Sequence, residues 1–209
     1  MKTIHRMFLG ILLNLAVGLA QADALADLIE RLSGIQSVEA RFSQVVTTTE
    51  GQLIQNLTGE LKAQRPGRFR WHTDPPLEQE VVTDGQFVWF HDPDLEQVTV
   101  QPLKGEAAST PALLFSGDPA RIGSRYTVQS PRDQVFVQTP KEPSDLFVQL
   151  AIRFEGDTPV ELEILDALGQ RTRLTLHNVK LNPELPDGTF DFDPPEGVDI
   201  IRSEAPAGG

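Results

Sequence analysis

The 209-residue chain has no cysteine, one tyrosine, two tryptophans and two methionines. Without a thiol there is no disulfide staple, no thiolate metal site, no cysteine nucleophile and no cysteine for amino-terminal lipidation. Basic residues are scarce: 18 Lys and Arg stand against 30 Asp and Glu, a formal charge of −12. So acidic a chain repels nucleic acid, and no basic aromatic patch compensates, so nucleic acid is not an expected partner. Beyond residue 20 no apolar run is long enough to cross a bilayer as a helix. Catalytic signatures are missing too. Past the first residues the histidines are His72, His91 and His177, and no pair has helical metal-ligand spacing. There is no GxSxG elbow, no glycine-rich phosphate loop and no dinucleotide fingerprint. Asp92, Asp94 and Glu96 look like a fragment of a calcium loop, but its central glycine and later ligands are absent. A solvated turn is the expectation there. No enzyme activity, cofactor or metal is expected.

What is present begins with an export signal. Lys2, His5 and Arg6 precede an apolar run from Met7 to Ala20, and Ala20-Gln21-Ala22 gives a small-x-small cleavage pattern. The pattern predicts a secretory signal peptide over residues 1–22, cut between Ala22 and Asp23. The rival, an uncleaved anchor, has a short apolar run for a span. Export without cysteine fits a bacterial periplasm better than a small disulfide-built extracellular protein. That compartment has no ATP, so function must run on binding energy or on energy delivered by a partner. One domain is expected over residues 23–203, with a frayed tail at 204–209.

Periodicity then supplies the fold. Leu25, Leu28, Ile29 and Leu32 form an apolar stripe at helical spacing, with Asp27, Glu30 and Arg31 expected to face water. Asp23 is a candidate N-cap and Gly34 a stop. This helix either packs permanently on a sheet or serves as a lid over its open side. From Val38 the period drops to two, through Phe42, and a second strand over residues 52–64 carries Leu57, Gly59, Leu61 and Ala63 on one face. Gly59 marks a bend or a curl of the sheet. Thr110-Pro111 opens a short helix through Phe115. Strands resume at 125–129, 134–139, 146–154, 160–165 and 171–176, and Phe190 and Phe192 mark a short last one. Nearly every connection is a hairpin, so the fold class is mainly β with helices, about ten or eleven antiparallel strands in one large curled sheet.

The stretch from Arg65 to Val100 is its centre. Arg65-Pro66-Gly67 turns into a strand with Phe69 and Trp71 on one face and Arg68, Arg70 and His72 on the other. The basic face is either a solvated surface or a docking surface for an acidic partner or lipid head groups. Asp84-Gly85 suits a two-residue type I′ turn, and Phe87 and Trp89 then alternate with Val88 and Phe90. These aromatics belong either to an ordinary core or to the apolar lining of a concave sheet. Periodicity alone does not separate the two.

These residues resemble the periplasmic outer-membrane lipoprotein carrier family, LolA. The likeness rests on ARFSQ at 40–44, GELKAQRPGRFRW at 59–71 and QEVVTDG at 79–85. It continues in VWFHDPDLEQVTV at 88–100, TPALL at 110–114 and FDFDPPEGVDI at 190–200. The resemblance implies an unclosed antiparallel β-barrel whose apolar interior is covered by an α-helical lid. It implies a periplasmic chaperone that accepts acylated lipoproteins from an inner-membrane ABC release complex, LolCDE. The cargo then passes to the outer-membrane receptor LolB. The family's lid-controlling arginine maps onto Arg65, acting with Leu25, Leu28 and Leu32 of the covering helix, and its partner-contacting phenylalanine maps onto Phe69. Phe42, Leu61, Trp71, Phe87 and Trp89 become candidates for the acyl-chain cavity. A shuttle is expected to be a monomer. Alternatives are a periplasmic lipid or lipoprotein sensor and, from another class, a secreted β-rich hydrolase or glycan-binding module.

Overall fold

The computed structural model describes residues 23–103, 113–142 and 147–202. The expected signal peptide, the Thr110-Pro111 helix opening and the tail from Glu204 lie outside the described residues. The amino-terminal helix, α1, covers residues 23–33. It ends where Gly34 N donates to Glu30 O at 3.2 Å and Ile35 N to Leu32 O at 3.1 Å, which satisfies carbonyls that a helix end leaves open.

Six strands follow in order: β1 Ser37–Thr47, β2 Leu53–Gln64, β3 Arg68–Thr73, β4 Gln79–Thr83, β5 Phe87–Asp92 and β6 Gln97–Pro102. Short helix α2 (Leu113–Ser116), a 3-10 turn at Pro119–Arg121 and α3 (Ile122–Arg125) interrupt them. Five more antiparallel strands come next: β7 Tyr126–Arg132, β8 Val135–Pro140, β9 Gln149–Glu155, β10 Thr158–Leu165 and β11 Arg171–Leu181. The last strand is β12, Asp199–Arg202. All twelve join one sheet in the order β12-β6-β5-β4-β3-β2-β1-β11-β10-β9-β8-β7. The two end strands do not pair with each other, so the barrel is open.

Curvature follows from the core. Phe69 on β3 and Val128 on β7 belong to one buried cluster with Leu28 and Leu32 of α1. In a flat sheet those strands would lie roughly 34 Å apart at about 4.8 Å per strand. The sheet must therefore curl around the helices, with one face turned inward.

Gly59 shows how the curl is accommodated. A Cβ there would stand 2.0 Å from His72 O and 2.5 Å from Phe42 Cζ. The ring of Phe42 occupies the space of the missing side chain and stacks on Trp71, with centroids 3.9 Å apart. The glycine thus marks the close approach of a ring and a backbone.

Two sequence expectations give way. Phe190 and Phe192 are not in a strand; the closing strand is β12, which pairs parallel to β6. Prolines at 194 and 195 remove ladder donors just after Phe192, so pairing resumes only beyond them. The β4–β5 connection is a three-residue loop and not a two-residue type I′ turn. Only Gly85 has positive φ there, at 97°, and Asp84 Oδ1 accepts from Gln86 N at 2.7 Å and Phe87 N at 2.9 Å. That aspartate side chain builds the turn in place of a second left-handed residue.

Candidate functional site: a lidded apolar face

Cross-strand register assigns each side chain to a face. Ala40 opposes Leu61, Leu61 opposes Trp71, Trp71 opposes Val81, and Val81 opposes Phe90. Directly opposed residues share a face, so this row crosses the inner side of five strands. Phe42, Ala63 and Phe69 lie on the same side, and all three are buried. Trp71 is half-buried against the core.

Phe87 and Trp89 are on the other side, which corrects their expected place in the acyl-chain cavity. Trp89 opposes Val82 and Val100, while Val88 and Phe90 point inward. The outer aromatic is covered by the carboxy-terminal segment: Phe192 lies 6.3 Å from Trp89 and 5.8 Å from His91 between ring centroids. Arg70 Nη1 donates to Thr189 O at 3.2 Å and Arg70 Nε to Glu80 Oε1 at 2.6 Å. Arg70 thus anchors that segment, while Arg68 stays exposed. Phe87 is left 42% exposed at the rim.

The cover of the inner face is helical. Leu28 and Leu32 are wholly buried, as are Ile35 after the helix and Phe115 on α2. Leu25 is half-buried, and its Cδ2 reaches within 2.9 Å of where a Cβ on Gly123 of α3 would stand. Each such side chain is worth about 1.5–3 kcal/mol of gross burial. The apolar face is therefore already occupied by the protein's own residues.

Arg65 fastens this cover at one end. Its Nε donates to Ile35 O at 2.7 Å, and its Nη2 donates to Leu32 O at 3.1 Å and Leu114 O at 3.4 Å. Leu32 O sits in the last turn of α1, where carbonyls lack helical donors and a cation is favoured. One guanidinium thus ties α1, α2 and the β2–β3 turn together. Nη1 is buried without a hydrogen-bond partner among the described residues. Burial pulls the Arg65 pKa down from its ordinary value to about 10, partly offset by the negative charge of Asp118. The main chain adds Arg65 N to Gln36 O at 2.9 Å and Gly67 N to Ser116 O at 2.8 Å.

A second fastening was not anticipated. Arg31, expected to face water, turns toward the sheet. Its Nη1 donates to Gly156 O in the β9–β10 turn at 2.7 Å, and its Nε to Asp27 Oδ1 at 2.7 Å. The guanidinium carbon stands 5.7 Å from the Phe136 ring centroid and 5.6 Å from that of Phe154. One signal lay in the spacing: Arg31 is three residues beyond Leu28, at the border of the apolar stripe.

One cavity lies on the inner face beside the cover. It measures about 190 Å³ and opens at the ends of β4 to β6, lined by Gln79, Val81, Phe90, Leu95, Gln97 and Thr99. Among the described residues no cluster of three or more acidic or histidine side chains could hold a metal.

The model of the family "Outer membrane lipoprotein carrier protein LolA" matches residues 33–193. The chain belongs to that family. It is 43% identical over 192 residues to an outer-membrane lipoprotein carrier protein of Hahella chejuensis, covering 90% of each chain. A relative of the same description from Alcanivorax borkumensis is 40% identical, over 88% of this chain and 90% of its own. The same fold occurs in an uncharacterized conserved protein of Thermus thermophilus. That likeness has a TM-score of 0.53 at 14% identity, over 87% of this chain and 99% of the other. Family membership gives this chain a general role in lipoprotein transport, in the periplasm and without enzymatic activity.

Proposed function

We propose that the chain takes acylated lipoproteins from an inner-membrane ABC release complex of the LolCDE type and hands them to an outer-membrane receptor of the LolB type. Residues 1–22 act as the export signal, residues 23–203 as one carrier domain and 204–209 as a tail. The observation that carries the reading is an unclosed sheet whose apolar inner face is filled by a helical cover fastened through side chains. Arg65, Leu25, Leu28 and Leu32 control that cover, and Phe42, Leu61 and Trp71 line the space it vacates. Phe69, buried with the cover closed, meets the release complex once the cover lifts.

Magnitudes explain why such a carrier needs an energised donor and can still let go. An acyl chain of roughly 16 carbons represents about 12 kcal/mol of gross membrane affinity at about 0.8 kcal/mol per methylene. Several chains make spontaneous desorption negligibly slow. Inside the carrier, however, each chain displaces Leu28, Leu32, Ile35 and Phe115 from the same face. The net gain is the difference between two apolar fillings, far below the gross figure. A self-filled face binds cargo weakly enough to release it.

The test uses spheroplasts carrying a labelled outer-membrane lipoprotein, to which residues 23–209 are added. The expected result is a soluble one-to-one complex that then delivers its cargo to receptor-bearing outer membranes. Cargo retained in the inner membrane despite an active matched release complex would remove the transport reading and favour a lipid sensor.

A further inference from the structure

The inner face carries one amide that the sheet does not use. Gln138 lies on β8, opposite Leu150 on β9 and Val128 on β7. Those neighbours are buried and apolar, and Gln138 itself is 1% exposed. Its Nε2 has no hydrogen-bond partner among the described residues. Phe136, Phe147 and Ile152 belong to the same buried cluster as Leu150 and Val128. An unpaired amide in such a wall destabilises the empty protein, because its donors lost water and gained nothing. An apolar side chain of similar size would pack there without that loss.

An acceptor that arrives with an apolar ligand would supply the missing partner. Acyl chains carry no acceptor along their length. The ester carbonyls that join them to glycerol do, and they enter an apolar site with the chains. We infer that Gln138 donates a hydrogen bond from Nε2 to a glyceryl ester carbonyl of the cargo's lipid anchor, which fixes how deep the chains sit. This assignment rests on the carrier reading proposed above. It adds a polar contact to an otherwise non-directional site, and polar groups of that kind set orientation more than affinity.

The experiment compares two synthetic triacylated lipopeptides, one natural in its glyceryl esters and one with ether linkages in their place. Binding to residues 23–209 is measured for the wild type and for Gln138→Leu, with Gln138→Met as a second variant should the first fold poorly. Wild-type protein should prefer the ester lipopeptide by roughly threefold to tenfold, the range of one hydrogen bond. Both variants should lose that preference, and Gln138→Leu should raise the melting temperature of the empty protein. Equal binding of both lipopeptides by the wild type, or a preference that survives in the variants, overturns the assignment alone. Binding of neither by the wild type overturns the carrier reading and the assignment together.

Discussion

The two ends of the lid are fastened by the same residue type with different partners. At the β2–β3 turn, Arg65 is largely buried and gives its bonds to main-chain carbonyls of α1, α2 and the segment between α1 and β1. At the β9–β10 turn, Arg31 is itself half-buried between two aromatic rings and one carbonyl, but its ionic partners are exposed: the carboxylate of Asp27, with Asp157 at 3.8 Å. The buried end joins three pieces of chain at one point and excludes water from the bonds. The Arg31 end, whose ionic partners are exposed, is screened and can exchange them for water. A cover held this way should hinge open from the Arg31 end, with Arg65 as the last contact to break.

The largest effect should come from Arg65→Leu. It removes three carbonyl bonds from a charged donor, each of a kind worth about 1.5–3 kcal/mol, while relieving the cost of burying the charge. A net change of about 2 kcal/mol alters lid opening roughly thirtyfold. Cargo transfer to receptor-bearing membranes should fall by at least about tenfold, with the far-UV spectrum and cooperative melting preserved. Normal transfer by this variant would sink the assignment of Arg65 as the main fastening.

Arg31→Ala should act in the same direction and more weakly. A cation over an aromatic face is worth about 0.5–1 kcal/mol at an exposed site, and the Asp27 pair adds about 0.3–0.5 kcal/mol. Lid opening should rise about fivefold, measured by hydrogen exchange along α1. Raising salt from about 0.05 M to about 0.5 M shortens the Debye length and should narrow the gap between this variant and wild type. The effect of Arg65→Leu should hold at both salt concentrations. Equal salt sensitivity of the two variants would erase the contrast between the ends.

Much of this arrangement could be read from the chain in advance, and what could not has identifiable causes. The α1 stripe, the β1 to β6 meander and the curled hairpin sheet follow from local periodicity, because period and turn residues are properties of neighbours in sequence; that the sheet stays unclosed is implied only by the family resemblance. The faces of β5 were not legible. Phe87-Val88-Trp89-Phe90 is apolar on both phases, and what decides them is Phe192, about a hundred residues later. Strand β12 was missed for the same reason: its parallel partner β6 is distant in sequence and no hairpin announces it. Arg65 stands out in the sequence through its motif and its place at a strand end, from which carbonyls at a helix end are within reach; which carbonyls those are is set by how α1 and α2 pack. Gln138 gave no signal, since a glutamine in a strand looks solvated until the sheet curls around it.

Near neutral pH the smallest effect expected is with pH itself, and its sign above about pH 9 distinguishes the buried end. Burial lowers the Arg65 pKa from its ordinary value to about 10, so the closed lid holds this proton less tightly than the open one. Below about pH 9 both states are fully protonated, and closure should not depend on pH through this residue. Above about pH 10 the open state binds more protons, so linkage makes closure more favourable as pH rises. Trp71, stacked on Phe42 beneath the lid, reports opening by fluorescence in a Trp89→Phe background that leaves it the sole tryptophan. Subtracting the same curve for Arg65→Leu removes lysine and tyrosine titrations common to both proteins. The difference should be flat from pH 6 to pH 9 and then move toward the closed signal. Movement toward the open signal would mean that the guanidinium is better solvated with the lid shut, and the order of release inferred for the two ends would reverse.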